Sequence, residues 1–144
     1  MSQLVQFLQV TLTSAQILSM GSNPNTVVSV VPAAGSNLAI NPIWVAAQYN
    51  SGSAAYVDVN GDANLQLSMG TSPNVTYSIP VTGFFDASGG TNTKKMSWLL
   101  SQEQFELLVS GIGNQPLVAN ISDSVTTGNG TITLSIYYVL VPLV

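Results

Sequence analysis

Cysteine, histidine and arginine are absent from the 144 residues of this chain, and Lys94 and Lys95 are its only basic side chains. Without cysteine there is no disulfide, no thiolate nucleophile and no cysteine-ligated metal. Without histidine the chain lacks the commonest general base and the commonest transition-metal ligand. Two lysines provide no basic surface for a row of phosphates, so we expect no direct nucleic-acid binding. These absences exclude most enzyme classes, and we expect a non-enzymatic protein with no cofactor and no small-molecule substrate.

Charged residues of both signs are scarce, at 6% of the chain, whereas an ordinary soluble protein has about 25%. Serine, threonine, asparagine, glutamine and glycine supply the polarity instead. Two explanations stay open for this composition. The neutral surface either faces water or is covered by partner proteins, since the cores of interfaces are depleted in charge. The second explanation is the one we favour.

Apolar residues are plentiful, at 46% of the chain with a mean hydropathy of +0.37. This composition predicts one folded domain over residues 1–144. No apolar run approaches the roughly 18 to 20 residues needed to span a bilayer. The start, "MSQLVQFLQVTL", lacks the basic region of a signal peptide, so we expect a non-exported protein that does not enter a membrane.

Alternation of apolar and polar residues dominates the chain and predicts a mainly β fold. In "TITLSIYYVLV" one face carries Ile132, Leu134, Ile136, Tyr138 and Leu140. Pro80 predicts an edge or the end of its strand, and "PIWVAAQY" is apolar on both faces, as in a central strand. The fold class expected is a single antiparallel β-sandwich or jelly-roll-like domain. Its nine predicted strands are 4–12, 26–31, 42–49, 54–59, 64–69, 75–81, 95–100, 116–121 and 131–141.

Two short helices interrupt the β pattern. In "TSAQILSMG" and "SQEQFELLVSG", a threonine or serine is followed three residues later by glutamine, and a glycine closes the segment. This spacing is typical of a capping box with a C-terminal glycine. It predicts helices that follow Thr13 and Ser101 and end before Gly21 and Gly111. Residues 1–10 are expected to form either an N-terminal arm or the first strand.

Asp58, Asn60 and Asp62 occupy alternate positions, as at the start of a calcium loop. A full loop requires glycine at its sixth position and a carboxylate at its twelfth, and Ala63 and Met69 stand there. Asn-Gly is also the preferred pair of a two-residue type I′ hairpin turn. We therefore predict a β-hairpin here and no metal site.

Other motifs with catalytic potential are weak. "FFDASGG" resembles the Asp-Thr/Ser-Gly of aspartic proteases, but Ala87 displaces the spacing by one residue. Glu103 and Glu106 are spaced to share one face of a helix, whereas a glycosidase sets its carboxylates across a cleft. A serine–lysine dyad of Ser88 or Ser97 with Lys94 or Lys95 lacks a recognisable elbow or oxyanion motif. The glycosylation triplets at Asn74, Asn120 and Asn129 matter only in a secretory pathway, which the N-terminus does not support.

Three segments resemble small structural proteins of tailed bacteriophages. The first is "VTLTSAQILSM" with the following "TVVSVVPAAGSNLAINPIWVAAQYNSGSAAY", the second is "VTGFFD", and the third is the ending "NQPLVANISDSVTTGNGTITLSIYYVLV". Together they span most of the chain. The resemblance implies a capsid decoration, or cement, protein. Such a protein is a β-rich homotrimer on the outer capsid surface, made in the host cytoplasm, that bridges neighbouring major capsid subunits.

The residues expected to contact partners are Lys94, Lys95, Gln3, Val5 and Phe7. The two lysines either guard a strand edge or dock against acidic residues of a neighbouring subunit and set its register. The N-terminal residues are suited to adding a strand to another sheet. Low charge departs from cement proteins that bind through salt bridges, so binding should depend weakly on salt.

Two rival functions remain. A head- or tail-fibre component that recognises host glycans would use exposed aromatic residues, for which Tyr49, Tyr56 and Trp98 are candidates, although alternation places them more readily in a core. A hydrolase would use Asp86, Glu103 or Glu106. Glycan binding favours the first rival, and turnover abolished by one carboxylate substitution favours the second.

Overall fold

The computed structural model describes residues 4–23, 26–70, 75–86, 93–99 and 113–143. These residues form ten strands and one helix. In chain order the elements are β1 (Gln6–Leu12), α1 (Ser14–Ser22), β2 (Val28–Val31), β3 (Leu38–Asn50), β4 (Val57–Asp58), β5 (Asn64–Met69), β6 (Val75–Pro80), β7 (Thr93–Leu99), β8 (Leu117–Ile121), β9 (Val125–Thr126) and β10 (Thr131–Pro142).

The eight longer strands form two antiparallel sheets. Sheet A has the order β1-β10-β3-β7, sheet B has the order β2-β8-β5-β6, and the short β4 and β9 pair separately. If the eight longer strands are counted one to eight along the chain, the orders become 1-8-3-6 and 2-7-4-5. This exchange of successive strands between two sheets is the topology of a jelly roll. The predicted mainly β sandwich is confirmed.

A bulge interrupts the pairing of β10 with β3 in sheet A. The register between β10 and β3 shifts at Tyr137 and Tyr138, leaving Ile43 of β3 without a partner. Beyond the bulge Tyr138 and Leu140, predicted to face inward, are half-buried and pack against the core, and Val139 is also buried. Before the bulge the predicted inward residues are buried: Ile132, Leu134 and Ile136.

Sheet B follows its sequence pattern with one exception. Leu65, Leu67 and Met69 of β5 are buried as predicted, but Ser68, predicted to face outward, is also buried. The register between β5 and β6 shifts between Leu67 and Ser68, which disturbs the alternation at this end of the strand. Pro80 is the last residue of β6, which lies at an edge of the sheet as predicted.

Helix α1 begins with the predicted capping box. Gln16 N donates to Thr13 Oγ1 at 3.3 Å, and Thr13 N donates to Gln16 Oε1 at 2.9 Å. Gly21, predicted to follow the helix, is instead inside it, and Asn23 is the C-cap. A Cβ at Gly21 would lie 2.7 Å from Val125 O, so the glycine is required for close packing of α1 on β9.

The second predicted helix, after Ser101, lies outside the described residues. Among the described residues, no helix has both the length and the apolar character needed to cross a membrane.

Four aromatic side chains pack against one another in the hydrophobic core: Tyr49, Tyr56, Phe84 and Phe85. Phe84 and Phe85 lie on the turn after β6, where both backbone N–H groups donate to Val81 O at 3.1 and 3.0 Å. This turn directs both rings into the core, and Tyr56 Oη donates to Gly130 O at 2.6 Å. The segment "VTGFFD" therefore has a structural role, and Tyr49 and Tyr56 are core residues.

Candidate partner-binding surface

An aromatic row crosses the outer face of sheet A. Phe7 of β1 lies opposite Tyr137 of β10, and Tyr137 lies opposite Trp44 of β3. The ring centroids of Phe7 and Tyr137 are 4.8 Å apart, and those of Tyr137 and Trp44 are 5.2 Å apart. Phe7 is 54% exposed and Tyr137 is 39% exposed. The row forms a continuous aromatic strip on the outer face of sheet A.

Neutral polar side chains cover the same face beside the aromatic row. Gln9 Nε2 donates to Ser135 Oγ at 3.0 Å, and the hydroxyls of Thr11 and Thr133 lie 3.1 Å apart. A shallow depression of about 210 Å³ opens among these rows. Its lining, which has amide and hydroxyl groups but no charge, consists of Gln9, Ala46, Ala47, Gln48, Thr133 and Ser135.

Charge is distributed unevenly over the molecule. Strands β1, β3 and β10 contain no charged residue, and the charged residues of sheet A are Lys94 and Lys95 of β7. The described carboxylates lie in β4 and in turns outside sheet A: Asp58, Asp62, Asp86 and Asp123. The outer face of sheet A is therefore a broad surface whose three described rows on β1, β10 and β3 are uncharged.

The residues expected to contact partners lie on two opposite edges of sheet A. Val5 precedes β1 and is 53% exposed, and Phe7 lies in β1. Lys94 and Lys95 lie in β7, where their backbones pair with Tyr49 and Gln48. Three strand spacings, about 14 Å, separate the two edges. Gln3 lies outside the described residues, and the fold does not bring the lysines together with Val5 and Phe7.

The sequence analysis did not single out Tyr137 and Trp44. The available signal was Tyr137 itself, an aromatic residue on the polar face of an otherwise alternating strand. Two of the aromatic residues considered for glycan contact are core residues, as alternation indicated: Tyr49 and Tyr56 are 0% and 1% exposed, so neither is available to a glycan. Trp98 belongs to β7, and its side chain is outside the described set.

The predicted hairpin at Asn60-Gly61 is wrong. The strands on its two sides do not pair with each other, because β4 pairs with β9 whereas β5 pairs with β6 and β8. Only Gly61 of the two central residues has a positive φ, of 86°, whereas a type I′ turn requires both. Asp58 stabilises the turn instead, accepting from Gly61 N at 2.8 Å and from Ala63 N at 2.9 Å.

Asp62 and Asp123 form an interacting pair beside this turn. The side-chain hydrogen bond to Asp123, followed by its negative charge, raises the pKa of Asp62. The Asn60 amide, which donates to both Asp123 oxygens at 3.1 and 3.0 Å, and then Ser124 N lower the pKa of Asp123. Within the described ranges, no group of three or more acidic residues is arranged to hold a metal ion.

We expect Asp62→Asn to stabilise the fold at pH 7 and to have little effect near pH 3. Because the pKa of Asp62 is raised on folding, its favourable contribution is present at acid pH and is lost as the pH rises through the folded pKa. An amide keeps a donor toward Asp123 at every pH. Thermal unfolding of both proteins between pH 3 and pH 8 measures the difference.

Asp123→Asn is the matched control, and it should destabilise the fold at pH 7. The lowered pKa of Asp123 means that its contribution is present at neutral pH and is lost as the pH falls through the folded pKa. Equal effects of the two variants at pH 7 would contradict this assignment of the pair.

The remaining motifs bring no catalytic arrangement onto the described surface. Asp86 is half-buried at the end of the turn after β6, and Ser97 is exposed in β7. The amide of Asn120 bonds to Gln66 Oε1 at 3.3 Å, and Asn129 Oδ1 accepts from Ala54 N at 2.9 Å. The other candidates lie outside the described residues: Asn74, Ala87, Ser88, Glu103 and Glu106.

No protein-family model and no curated protein sequence matches the chain. Several solved structures resemble the fold at low sequence identity. The cyanophage Pam1 capsid asymmetric unit gives a TM-score of 0.46 at 13% identity, over 96% of this chain and 84% of that chain. The Helicobacter pylori bacteriophage KHP30 capsid gives a TM-score of 0.45 at 11% identity, over 99% of this chain and 98% of that chain. The Ralstonia phage GP4 capsid gives a TM-score of 0.44 at 15% identity, over 96% of this chain and 84% of that chain. These likenesses are too weak to assign a function.

Proposed function

We propose that this chain is a structural protein of a tailed-bacteriophage virion, which decorates the outer capsid surface as a homotrimer and bridges neighbouring major capsid subunits. The observation that carries the proposal is the outer face of sheet A. Its strands β1, β3 and β10 have no charged residue, and an aromatic row crosses them. The three sequence segments that resemble phage structural proteins supply the biological setting.

The aromatic row has the character of an interface centre. The cores of protein interfaces are depleted in charge and enriched in tyrosine, tryptophan and phenylalanine. Truncation of such residues usually accounts for most of the binding energy lost in alanine scans. Phe7 and Tyr137 are both large and substantially exposed. We therefore assign the capsid or neighbouring-subunit contact to this row.

The surrounding polar rows suit a contact that does not rely on ion pairs. Gln9, Ser135, Thr11 and Thr133 provide neutral donors and acceptors in a regular array on the sheet. Contacts between neutral groups are little affected by salt, because screening acts on charges. Binding through this face should therefore persist when the ionic strength is raised.

Stabilisation of the shell would follow from linkage. A ligand that binds only the assembled lattice stabilises that lattice by its binding free energy at each site. A trimer that engages three capsid subunits also gains effective concentration once its first contact is made. The modest binding free energies of the individual copies would then add up over the shell.

We assign Lys94 and Lys95 a docking role at the β7 edge of sheet A. Replacing both with glutamine should leave folding intact and weaken assembly several-fold, because peripheral charges affect association rate and register more than stability. Circular dichroism and light scattering measure the two effects. Unchanged assembly would refute the docking role and leave these residues as guards of the strand edge.

The trimer can be tested separately from the capsid contact. Light scattering at low and high salt should give a mass three times the 15.0 kDa of one chain, unchanged by salt. Addition of the trimer to expanded heads should raise their resistance to heat. A trimer that does not bind heads would overturn the decoration proposal, and a monomer that does bind them would overturn the trimer alone.

One observation favours a second candidate function, a head- or tail-fibre component that recognises host surface glycans. The uncharged depression on sheet A presents amide and hydroxyl groups close to the aromatic row. Neutral hydrogen-bonding groups beside an aromatic ring match the hydroxyls and apolar faces of a sugar. A glycan array distinguishes the two functions: specific signals that disappear in Ala46→Arg, which fills the depression, would favour the fibre.

A further inference from the structure

Three of the four edge strands carry a feature that discourages pairing with another chain. Strand β7 contains Lys94 and Lys95, and β6 ends in Pro80. Strand β2 has only four residues and an irregular register between Ser29 and Val31. Charges, proline, short length and irregular register are the usual means by which proteins block edge-to-edge pairing.

Strand β1 has none of these features. Its sequence, "QFLQVTL", has no charge and no proline, and its seven residues pair with β10 in one continuous register. No described strand is hydrogen-bonded to its other side. A long, uncharged, regular edge is a template for strand addition. We infer that β1 pairs antiparallel with β1 of a second copy of this chain, which joins two A sheets into one.

Exposed apolar side chains are concentrated at the start of this strand. Leu4 is 81% exposed, Val5 is 53% exposed and Phe7 is 54% exposed. On the inner face, Leu8 and Val10 pack against the core but are only partly buried. A strand laid along β1 would cover all five side chains, which a single copy leaves in contact with water.

One register accounts for every exposed apolar side chain at this edge. If the two-fold axis passes through Phe7, residues 4–10 of one copy pair with residues 10–4 of the other. Phe7 then faces its own counterpart on the outer side, as an aromatic cross-strand pair. On the inner side Leu4 lies opposite Val10, so that the most exposed leucine extends the core of the partner copy. Val5 lies opposite Gln9, and no charges are brought together.

The length of this contact indicates a reversible dimer. Seven paired residues at about 3.4 Å each extend over about 24 Å. A single strand pair of that length belongs to interfaces below about 1,200 Å², which are typically weak or transient. We therefore expect dissociation in the micromolar range or weaker. The net charge of −4 adds little repulsion between copies.

This pairing does not depend on the proposed function. It is a two-fold contact through an edge, whereas the proposed trimer would require a different, three-fold contact. On a decorated shell it would link neighbouring trimers, and in solution it would double whatever unit the chain forms.

Light scattering over a range of concentrations tests the pairing. The mass of the wild-type protein should double as the concentration rises, and the mass of Phe7→Lys should stay constant, since it places two lysines opposite each other. Val59→Lys is the matched control, because Val59 is a valine at 53% exposure outside both large sheets. The mass of Val59→Lys should double with rising concentration, as the mass of the wild type does.

Single cysteines test the register, because the natural chain has none. In the proposed register the two Phe7→Cys residues lie directly opposite, at a Cα separation of about 4.5–5.5 Å, within the range that a disulfide requires. Oxidation should cross-link Phe7→Cys. Thr11→Cys, whose two copies would be about 27 Å apart, should not cross-link, and nor should Val59→Cys.

Each outcome decides the inference. Doubling abolished by Phe7→Lys, with cross-linking confined to Phe7→Cys, supports it. A mass independent of concentration, or doubling that survives Phe7→Lys, overturns it. Equal cross-linking of Phe7→Cys and Val59→Cys also overturns it. Since each mass is compared with that of Phe7→Lys, a failure of the trimer proposal would not be mistaken for a failure of the pairing.

Discussion

Replacing Phe85 with alanine is expected to lower the free energy of unfolding by about 3–5 kcal/mol, the usual cost of removing a buried aromatic ring. Phe85 is completely buried, and its ring lies 5.6 Å from that of Tyr56 and 6.1 Å from that of Phe84. The substitution would remove buried apolar surface and edge-to-face ring contacts, and it would leave a cavity between the sheets. Since a domain of this size is stable by about 5–15 kcal/mol, the loss is a large part of the total and should clearly lower the urea midpoint.

Urea unfolding followed by circular dichroism measures this effect. Val59→Ala serves as the control, because its side chain is half-exposed and its loss should change stability by less than about 0.5 kcal/mol. A loss below about 1 kcal/mol for Phe85→Ala would contradict the role of the turn after β6 as a part of the core.

Replacing Tyr137 with lysine is expected to weaken capsid binding at least about 30-fold, which corresponds to the 2 kcal/mol or more of an interface hot spot. The prediction rests on the proposed function. Tyr137 is the middle ring of the aromatic row, in contact with both Phe7 and Trp44, and remains 39% exposed. A lysine there would place a charge at the centre of an uncharged face, where desolvation is costly.

Binding isotherms with expanded heads measure the loss, and two controls accompany them. Tyr137→Phe should bind nearly as the wild type does if the ring supplies the contact. Val57→Lys adds the same charge on β4, outside sheet A, and should also bind normally. Equal weakening by Tyr137→Lys and Val57→Lys would assign the effect to net charge and contradict the role of the aromatic row.

Much of the fold follows from local patterns in the sequence. Alternation identified β10 and β5 because each has one face in the core, and the box at Thr13 and Gln16 identified the start of α1. Predictions from local patterns were wrong where the local structure depends on contacts with distant parts of the chain. Gly21 allows close packing within the helix and does not end it, since Val125, distant in sequence, lies against it. Asn60-Gly61 is not a hairpin because β4 pairs with β9.

The candidate surface could be predicted only in part. Phe7 and Val5 were expected to contact partners, but the aromatic row depends on the register between β1, β10 and β3. That register includes a bulge at Tyr137 and Tyr138 that alternation alone does not reveal. The position of the described carboxylates outside sheet A likewise depends on strand order, which composition does not contain.

Co-sedimentation with expanded heads, at low and at high salt, tests the central claim most directly. The heads should be assembled from the major capsid protein of the same genome. If the uncharged face of sheet A binds the shell, the wild-type protein should sediment with the heads and its affinity should change little between the two salt concentrations. Failure to co-sediment, or an affinity that falls tenfold or more as salt is raised, would contradict the account.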